Sequence, residues 1–336
     1  GLTVSRRMYL PLLHDLNIND QGIDSKGVVS ANGNLWGSDK DIGKITAQLP
    51  VVHETGGRVN RVGFKRKMIE APVICFGFFN EYSKLAIKAD TDAELRQELV
   101  DLTLEGAVEI NENILQIELM NNAGMTHFAG AATSIDTITG EGPIYSEVTF
   151  DDLELITKLL DFNLCPRHTK IISGVTLTDT RTIADARYMY VGLDTVRTLK
   201  RMVDYHGNPA FIPVQQYAAG GNIAQGEIGT VSGFRIIAPE HMLYHRAAGA
   251  EAVTNPEGFL TSTDDQGKLR YNVYPMLVIG SEAFVNIGFQ LSENGHKFGF
   301  AHVPPEATHQ DPFGRTGLHS VQWWHGMLVE RPEHLV

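Results

Sequence analysis

The sequence predicts an α+β protein of the mixed kind, with a long helix set between strand-rich segments. Three observations carry that reading. Residues 45–85 are rich in β-favouring side chains (Val59, Phe64, Ile69, Val73, Ile74, Phe76, Phe78 and Phe79), with Gly56, Gly57 and Gly63 as bend points. Residues 92–122 carry Leu95, Leu99, Leu102, Gly106, Ile110, Ile114 and Ile117 at helical spacing. Beyond residue 150, short helical and strand patterns alternate to the end of the chain.

Residues 1–40 read as an irregular polar arm, because Asn-Asp, Asn-Gly-Asn and Gly-Ser-Asp clusters favour turns. Residues 41–90 read as a long two-stranded excursion, and such a hairpin takes its stability from packing elsewhere. Thr91-Asp92-Ala93-Glu94 is a capping box opening the long helix. Thirty residues at ~1.5 Å each make a rod of roughly 45 Å. Thr149 is placed to cap a second helix over 151–162, stopped by Pro166. Strands are predicted at 169–177 and 188–191, a helix at 194–204, and strands at 234–238, 274–280, 297–303 and 323–330. Residues 251–270, with Asn-Pro and Thr-Asp-Asp, read as a surface loop.

The charge is unevenly placed. The 336-residue chain has a formal net charge of −12, which argues against a nucleic-acid-binding face. The 92–122 helix carries eight carboxylates against Arg96 alone. Residues 56–67 carry Arg58, Arg61, Lys65, Arg66 and Lys67 and no acid. An exposed helix normally balances its acids with Lys or Arg one turn away. The imbalance points to subunit-interface contacts in which Arg58, Arg61, Lys65, Arg66 and Lys67 of one copy meet Glu98, Asp101, Glu105, Glu109 and Glu112 of the next. The two cysteines, Cys75 and Cys165, read as free thiols. The opening Gly-Leu-Thr-Val-Ser fits an N-myristoylation pattern, but with no basic cluster beside it, removal of an initiator methionine is the better reading.

Catalytic patterns fail one by one. Gly221–Gly226 has phosphate-loop glycine spacing, yet Glu227 stands where the lysine belongs and would repel a phosphate. His241 and His245 stand four apart, but Met242 replaces the metalloprotease glutamate, and Pro239 and Gly249 disfavour a long helix. His296, His302, His309, His319, His325 and His334 crowd the C-terminal end without a compact ligand spacing. They support one alternative function, a soluble metal-dependent hydrolase. Otherwise the chain reads as a non-enzyme that needs no cofactor and no metal.

Three later motifs add a resemblance. Gly229-Thr230-Val231-Ser232-Gly233-Phe234-Arg235-Ile236-Ile237, the run Tyr274-Pro275-Met276-Leu277-Val278-Ile279-Gly280-Ser281-Glu282-Ala283-Phe284, and Asp311-Pro312-Phe313-Gly314-Arg315-Thr316-Gly317 occur in order. Together they resemble the major capsid proteins of tailed bacteriophages with the Hong Kong 97 fold, nearest the coliphage N-four family. The chain departs from that pattern at Ser320-Val321-Gln322-Trp323-Trp324-His325, where the family has a Gly-x-Lys-x-x stretch.

The resemblance implies an N-terminal arm (1–40), an extended loop (41–90) and a peripheral domain (91–149 and 291–336) with its spine helix at 92–122. An axial domain would occupy 150–290. It also implies self-assembly into hexamers and pentamers of an icosahedral head around double-stranded DNA. Scaffold, portal and decoration proteins would be the partners. The protein would reside in the virion, and in the host cytoplasm during assembly.

Overall fold

The computed structural model describes residues 2–9, 66–89, 95–141, 145–167, 169–172, 180–183, 187–217, 223–253, 260–288, 297–307 and 312–336. In chain order the elements are β1 (Leu2–Tyr9), β2 (Arg66–Ser83), α1 (Lys84–Ala89), α2 (Leu95–Asn121), α3 (Phe150–Phe162), β3 (Thr169–Ile172), β4 (Thr180–Ile183) and β5 (Arg187–Val191). Next come α4 (Leu193–Arg201), β6 (Ile212–Pro213), β7 (Glu227–Val231), β8 (Phe234–Ile237), β9 (Thr261–Thr263), β10 (Leu269–Tyr271) and β11 (Met276–Ile279). The chain closes with β12 (Phe284–Asn286), β13 (Phe298–Val303), β14 (Thr316–His325) and β15 (Met327–Val329). They fall into two compact units.

The first unit takes in residues up to Met8, Lys67–Asn121 and Phe284–Glu330. Its four-stranded sheet has the order β1-β2-β14-β13. β14 runs antiparallel to both neighbours, pairing Val321 with Phe78 on one side and with Phe300 on the other. Side chains alternate across a strand, so one face of the sheet carries Phe76, Phe78, Val321, Trp323 and Phe298. That face closes on Leu104 and Ala107 of α2. Ala107 and Trp323 are buried almost completely. Three rings, Phe76, Phe78 and Phe298, surround the Trp323 indole at centroid distances of 6.0, 6.3 and 5.6 Å.

The second unit, described by its parts in Asn122–Ala283 and Arg331–Val336, is built on a five-stranded sheet of order β11-β5-β8-β7-β6. β5 and β8 are parallel, and the other pairs are antiparallel. α3 lays Leu153, Ile156 and Leu160 onto Met189, Val191, Phe234, Ile236 and Val278. Thr149 starts this helix with a reciprocal cap, accepting from the Asp152 amide while its own amide donates to the Asp152 carboxylate. Ser232 and Gly233 turn β7 into β8 with φ of 48° and 80°. Two successive left-handed residues suit a two-residue hairpin, and glycine takes that conformation without strain. The C-terminus joins this unit, with Val336 and Val278 exchanging backbone hydrogen bonds.

Several elements differ from the sequence reading. Leu2–Tyr9, read as the start of an irregular arm, is an edge strand beside β2; its alternating Leu2, Val4 and Met8 gain order from a strand far away in sequence. Residues 251–270, read as a loop, contain the paired strands β9 and β10, joined through a turn at Asp264 that accepts from the Gln266 and Lys268 amides. The strand expected at 323–330 is two strands separated at Gly326. A Cβ there would come within 3.1 Å of Val73 Cγ2 and 3.2 Å of the Pro72 carbonyl, so the chain passes close only because it has none. The long helix is described from Leu95 onward, and Thr91 with Glu94 lies outside the described residues.

Candidate assembly surface

On the α2 rod, Glu98, Asp101, Glu105, Glu109 and Glu112 recur at spacings of three and four, so they form one stripe along the helix. All five side chains are exposed. The stripe lies opposite the face that buries Thr103 and Ala107. Glu98, Asp101, Glu105 and Glu112 make no ion pair among the described residues; Asp101 accepts from Gln97 Nε2 at 3.1 Å. Leu102, 62% exposed, and Val108 border the stripe on its two sides. The stripe is thus an acidic face edged by exposed apolar side chains.

Of the predicted basic partners, Arg66 is the first residue of β2 and is exposed. Lys67 lies in the same strand, while Arg58, Arg61 and Lys65 fall outside the described residues.

The opposite side of the rod holds a polar cluster that the sequence reading missed. Lys297 Nζ donates to Asn111 Oδ1 at 3.0 Å, and His325 Nδ1 lies 3.2 Å from the same oxygen. A lysine only donates, so that oxygen is an acceptor and Nδ1 must carry the hydrogen. His325 Nε2 then meets the Glu118 carboxylate at 3.0 Å, a contact that needs a proton on one partner or the other. Burial pulls the Lys297 ammonium below its ordinary pKa. Glu118, one of the eight carboxylates of the helix, therefore turns toward this cluster.

The other described C-terminal histidines are held by ring packing or hydrogen bonds. His302 faces His319 across the β13–β14 pair, with rings 4.7 Å apart, and the Tyr82 hydroxyl lies 2.6 Å from His302 Nε2. His334, in the second unit, is wholly buried between the Ser281 and Asn163 carbonyls. His296 and His309 lie outside the described residues. Among the described residues no group of three or more His, Cys, Asp or Glu side chains is placed to hold a metal. Glu227, from the rejected phosphate loop, is buried and accepts from the Tyr217 hydroxyl at 2.7 Å and the Ala224 amide at 2.9 Å. Cys75 and Cys165 are free thiols, and burial pushes the Cys165 thiol up.

No family model matches the chain. It is 44% identical over 336 residues to the major capsid protein of Pseudomonas phage KPP21, covering 99% of this chain and 82% of that one. The chain belongs to the family of that phage major capsid protein. Its role is accordingly structural, and the metal-hydrolase alternative is discarded.

The fold agrees. The capsid of Ralstonia phage GP4 superposes with a TM-score of 0.53 at 10% identity, covering 98% of this chain and 79% of that one. The capsid structure of the cyanophage P-SCSP1u gives 0.51 at 12% identity, covering 100% and 82%. A phage capsid protein is part of the virion. No helix among the described residues of this capsid protein is long and apolar enough to cross a membrane.

Proposed function

We propose that this capsid protein builds an icosahedral head of the Hong Kong 97 type, as hexamers and pentamers around double-stranded DNA, with the coliphage N-four capsid proteins as near kin. The division into an N-terminal arm (1–40), an extended loop (41–90), a peripheral domain (91–149 and 291–336) and an axial domain (150–290) goes with it. The grouping of α2 with β13 and β14 in one compact unit supports the middle of the peripheral domain, whereas the described residues of 122–149 and 331–336 group with the five-stranded sheet of the other unit. β2 belongs to the sheet of that same unit, so the loop's C-terminal part is anchored there. Scaffold, portal and decoration proteins are the expected partners, and assembly takes place in the host cytoplasm.

What supports the docking model is the exposed acidic stripe on α2, of which Glu98, Asp101, Glu105 and Glu112 make no ion pair among the described residues. Arg58, Arg61, Lys65, Arg66 and Lys67 of one copy dock on Glu98, Asp101, Glu105, Glu109 and Glu112 of its neighbour. One exposed pair is worth only ~0.2–1 kcal/mol, so the set acts through register and encounter rate. The net charge of −12 also suits a shell that holds DNA without adhering to it.

The test is charge reversal with rescue. Arg61→Glu with Lys65→Glu should cut the yield of particles, and adding Glu105→Lys with Glu109→Lys should restore part of it. Normal particle yield from the reversed arm alone would remove the docking model.

A further inference from the structure

β13 closes one side of the first unit's sheet, and among the described residues no strand pairs with its outer side. Exposed sheet edges in soluble proteins are normally guarded by lysine, proline, a bulge or an inward charge, because bare backbone donors and acceptors recruit another strand. The opposite edge, β1, is guarded by the exposed Arg6 and Arg7, and Arg6 also pairs with Glu330. Phe298-Gly299-Phe300-Ala301-His302-Val303 contains no Lys, Arg, Asp, Glu or Pro. Its six pairs with β14 run without a bulge. Ala301 is exposed, and the apolar Phe300 and Val303 keep 38% and 46% of their surface open.

The charges at its ends suggest what it pairs with. Lys297 precedes the strand, and Pro304-Pro305-Glu306 follows it. Lys297 is engaged with Asn111, so the exposed Glu306 is the end charge that decides: a parallel pairing sets it beside its copy, and an antiparallel pairing puts the two at opposite ends. An antiparallel self-pairing is also closed, joining two copies and leaving no further β13 edge to extend. A capsid protein always meets other copies of itself.

We propose that β13 is a joint between copies, where the β13 of one subunit pairs edge to edge and antiparallel with the β13 of a second, continuing one sheet into the other. The backbone ladder supplies the attraction, and the uncharged strand leaves nothing to repel the partner. This joint does not depend on the arm-to-helix docking proposed above.

Its test uses assembled particles carrying Ala301→Cys in a Cys75→Ser background, treated with a short bis-maleimide. Covalent dimers should form in particles and not from dissociated subunits at the same protein concentration. Gln322→Cys, one strand further from the edge, should stay monomeric. Normal particles yielding only monomers from Ala301→Cys, or dimers equally from both variants, would overturn the joint. Should the cysteine variants fail to assemble, hydrogen exchange on the unaltered protein decides. Amides over residues 298–303 should exchange at least about ten-fold more slowly in particles than in free subunits, and unchanged exchange there would overturn it. A working β13 joint with no effect of the charge-reversed arm would sink the docking model and leave this one standing.

Discussion

His334 Nδ1 donates to the Ser281 carbonyl at 2.8 Å, tying the C-terminal turn to the loop that follows β11. The second ring nitrogen faces the Asn163 carbonyl at 3.3 Å. Burial is the main influence on this imidazole and holds its pKa below the ordinary value of 6.5. The unfolded chain therefore binds a proton that the folded one resists.

That lowered pKa sets a direction for stability. The stabilisation is complete above the unfolded value and is lost as the pH falls from about 6.5 toward the folded value. The unfolding midpoint of the second unit should be lower at pH 5.5 than at pH 7.5. His334→Gln should cost stability at neutral pH but narrow that difference. Calorimetric scans of both proteins at the two pH values check this; an undiminished difference in the variant would assign the effect to another group.

Arg187 and Asp161 provide a second test in the same unit. The Arg187 guanidinium is buried and donates to Asp161 Oδ1 and to the Cys165 carbonyl, each at 2.6 Å. Burial alone would raise the Asp161 pKa, but hydrogen bonds and charge from Arg167 and Arg187 hold it below the usual carboxylate value. Asp161→Ala leaves the buried cation short of its counter-ion. It should lower stability to urea by roughly 1.5–3 kcal/mol, the range for hydrogen bonds to charged groups. Since the folded pKa is depressed, the stabilisation is present above about pH 4 and lost as the carboxylate protonates below it. A loss under about 0.5 kcal/mol would mean that water serves the arginine equally well.

The features that sequence revealed were those with local causes. Thr149 caps α3 through Asp152, three residues away. The periodicity of α2 was equally visible, as was the exposure of its acids. What stayed hidden depended on partners distant in the chain. His325 looked like one of several scattered histidines until residues 207 and 214 positions earlier, Glu118 and Asn111, came beside it. β1 reads as loop because its order comes from β2, and β9 with β10 because each is only three residues long. Short strands carry too little periodicity to stand out from the turns around them.

Trp323 tests the core of the first unit. It is 2% exposed, with Phe76, Phe78 and Phe298 packed around it and Ala107 in the same cluster. Trp323→Ala removes a large buried ring that its neighbours cannot replace, and should cost about 3–5 kcal/mol. Trp323→Phe should cost distinctly less. Urea unfolding of free subunits, followed by far-UV circular dichroism, measures both.

Glu227 supplies the last prediction. Its carboxylate is buried at the start of β7 and ties the Tyr217 hydroxyl and the Ala224 amide to the sheet, with Arg235 Nη1 3.6 Å away. Burial, then the hydrogen bond to Glu227, pushes ionisation of Tyr217 well above the ordinary phenol range. Glu227→Ala leaves two half-buried donors without this acceptor, at up to about 1–3 kcal/mol for each. Glu227→Gln keeps an oxygen acceptor and the shape, so it should retain most of the stability while weakening the constraint on Tyr217. Ultraviolet titration should then find one tyrosine ionising at lower pH in the alanine variant than in the unaltered protein, provided both stay folded by circular dichroism. An unchanged tyrosine titration in a folded Glu227→Ala protein would mean that burial alone, and not the carboxylate, holds Tyr217 in its protonated form.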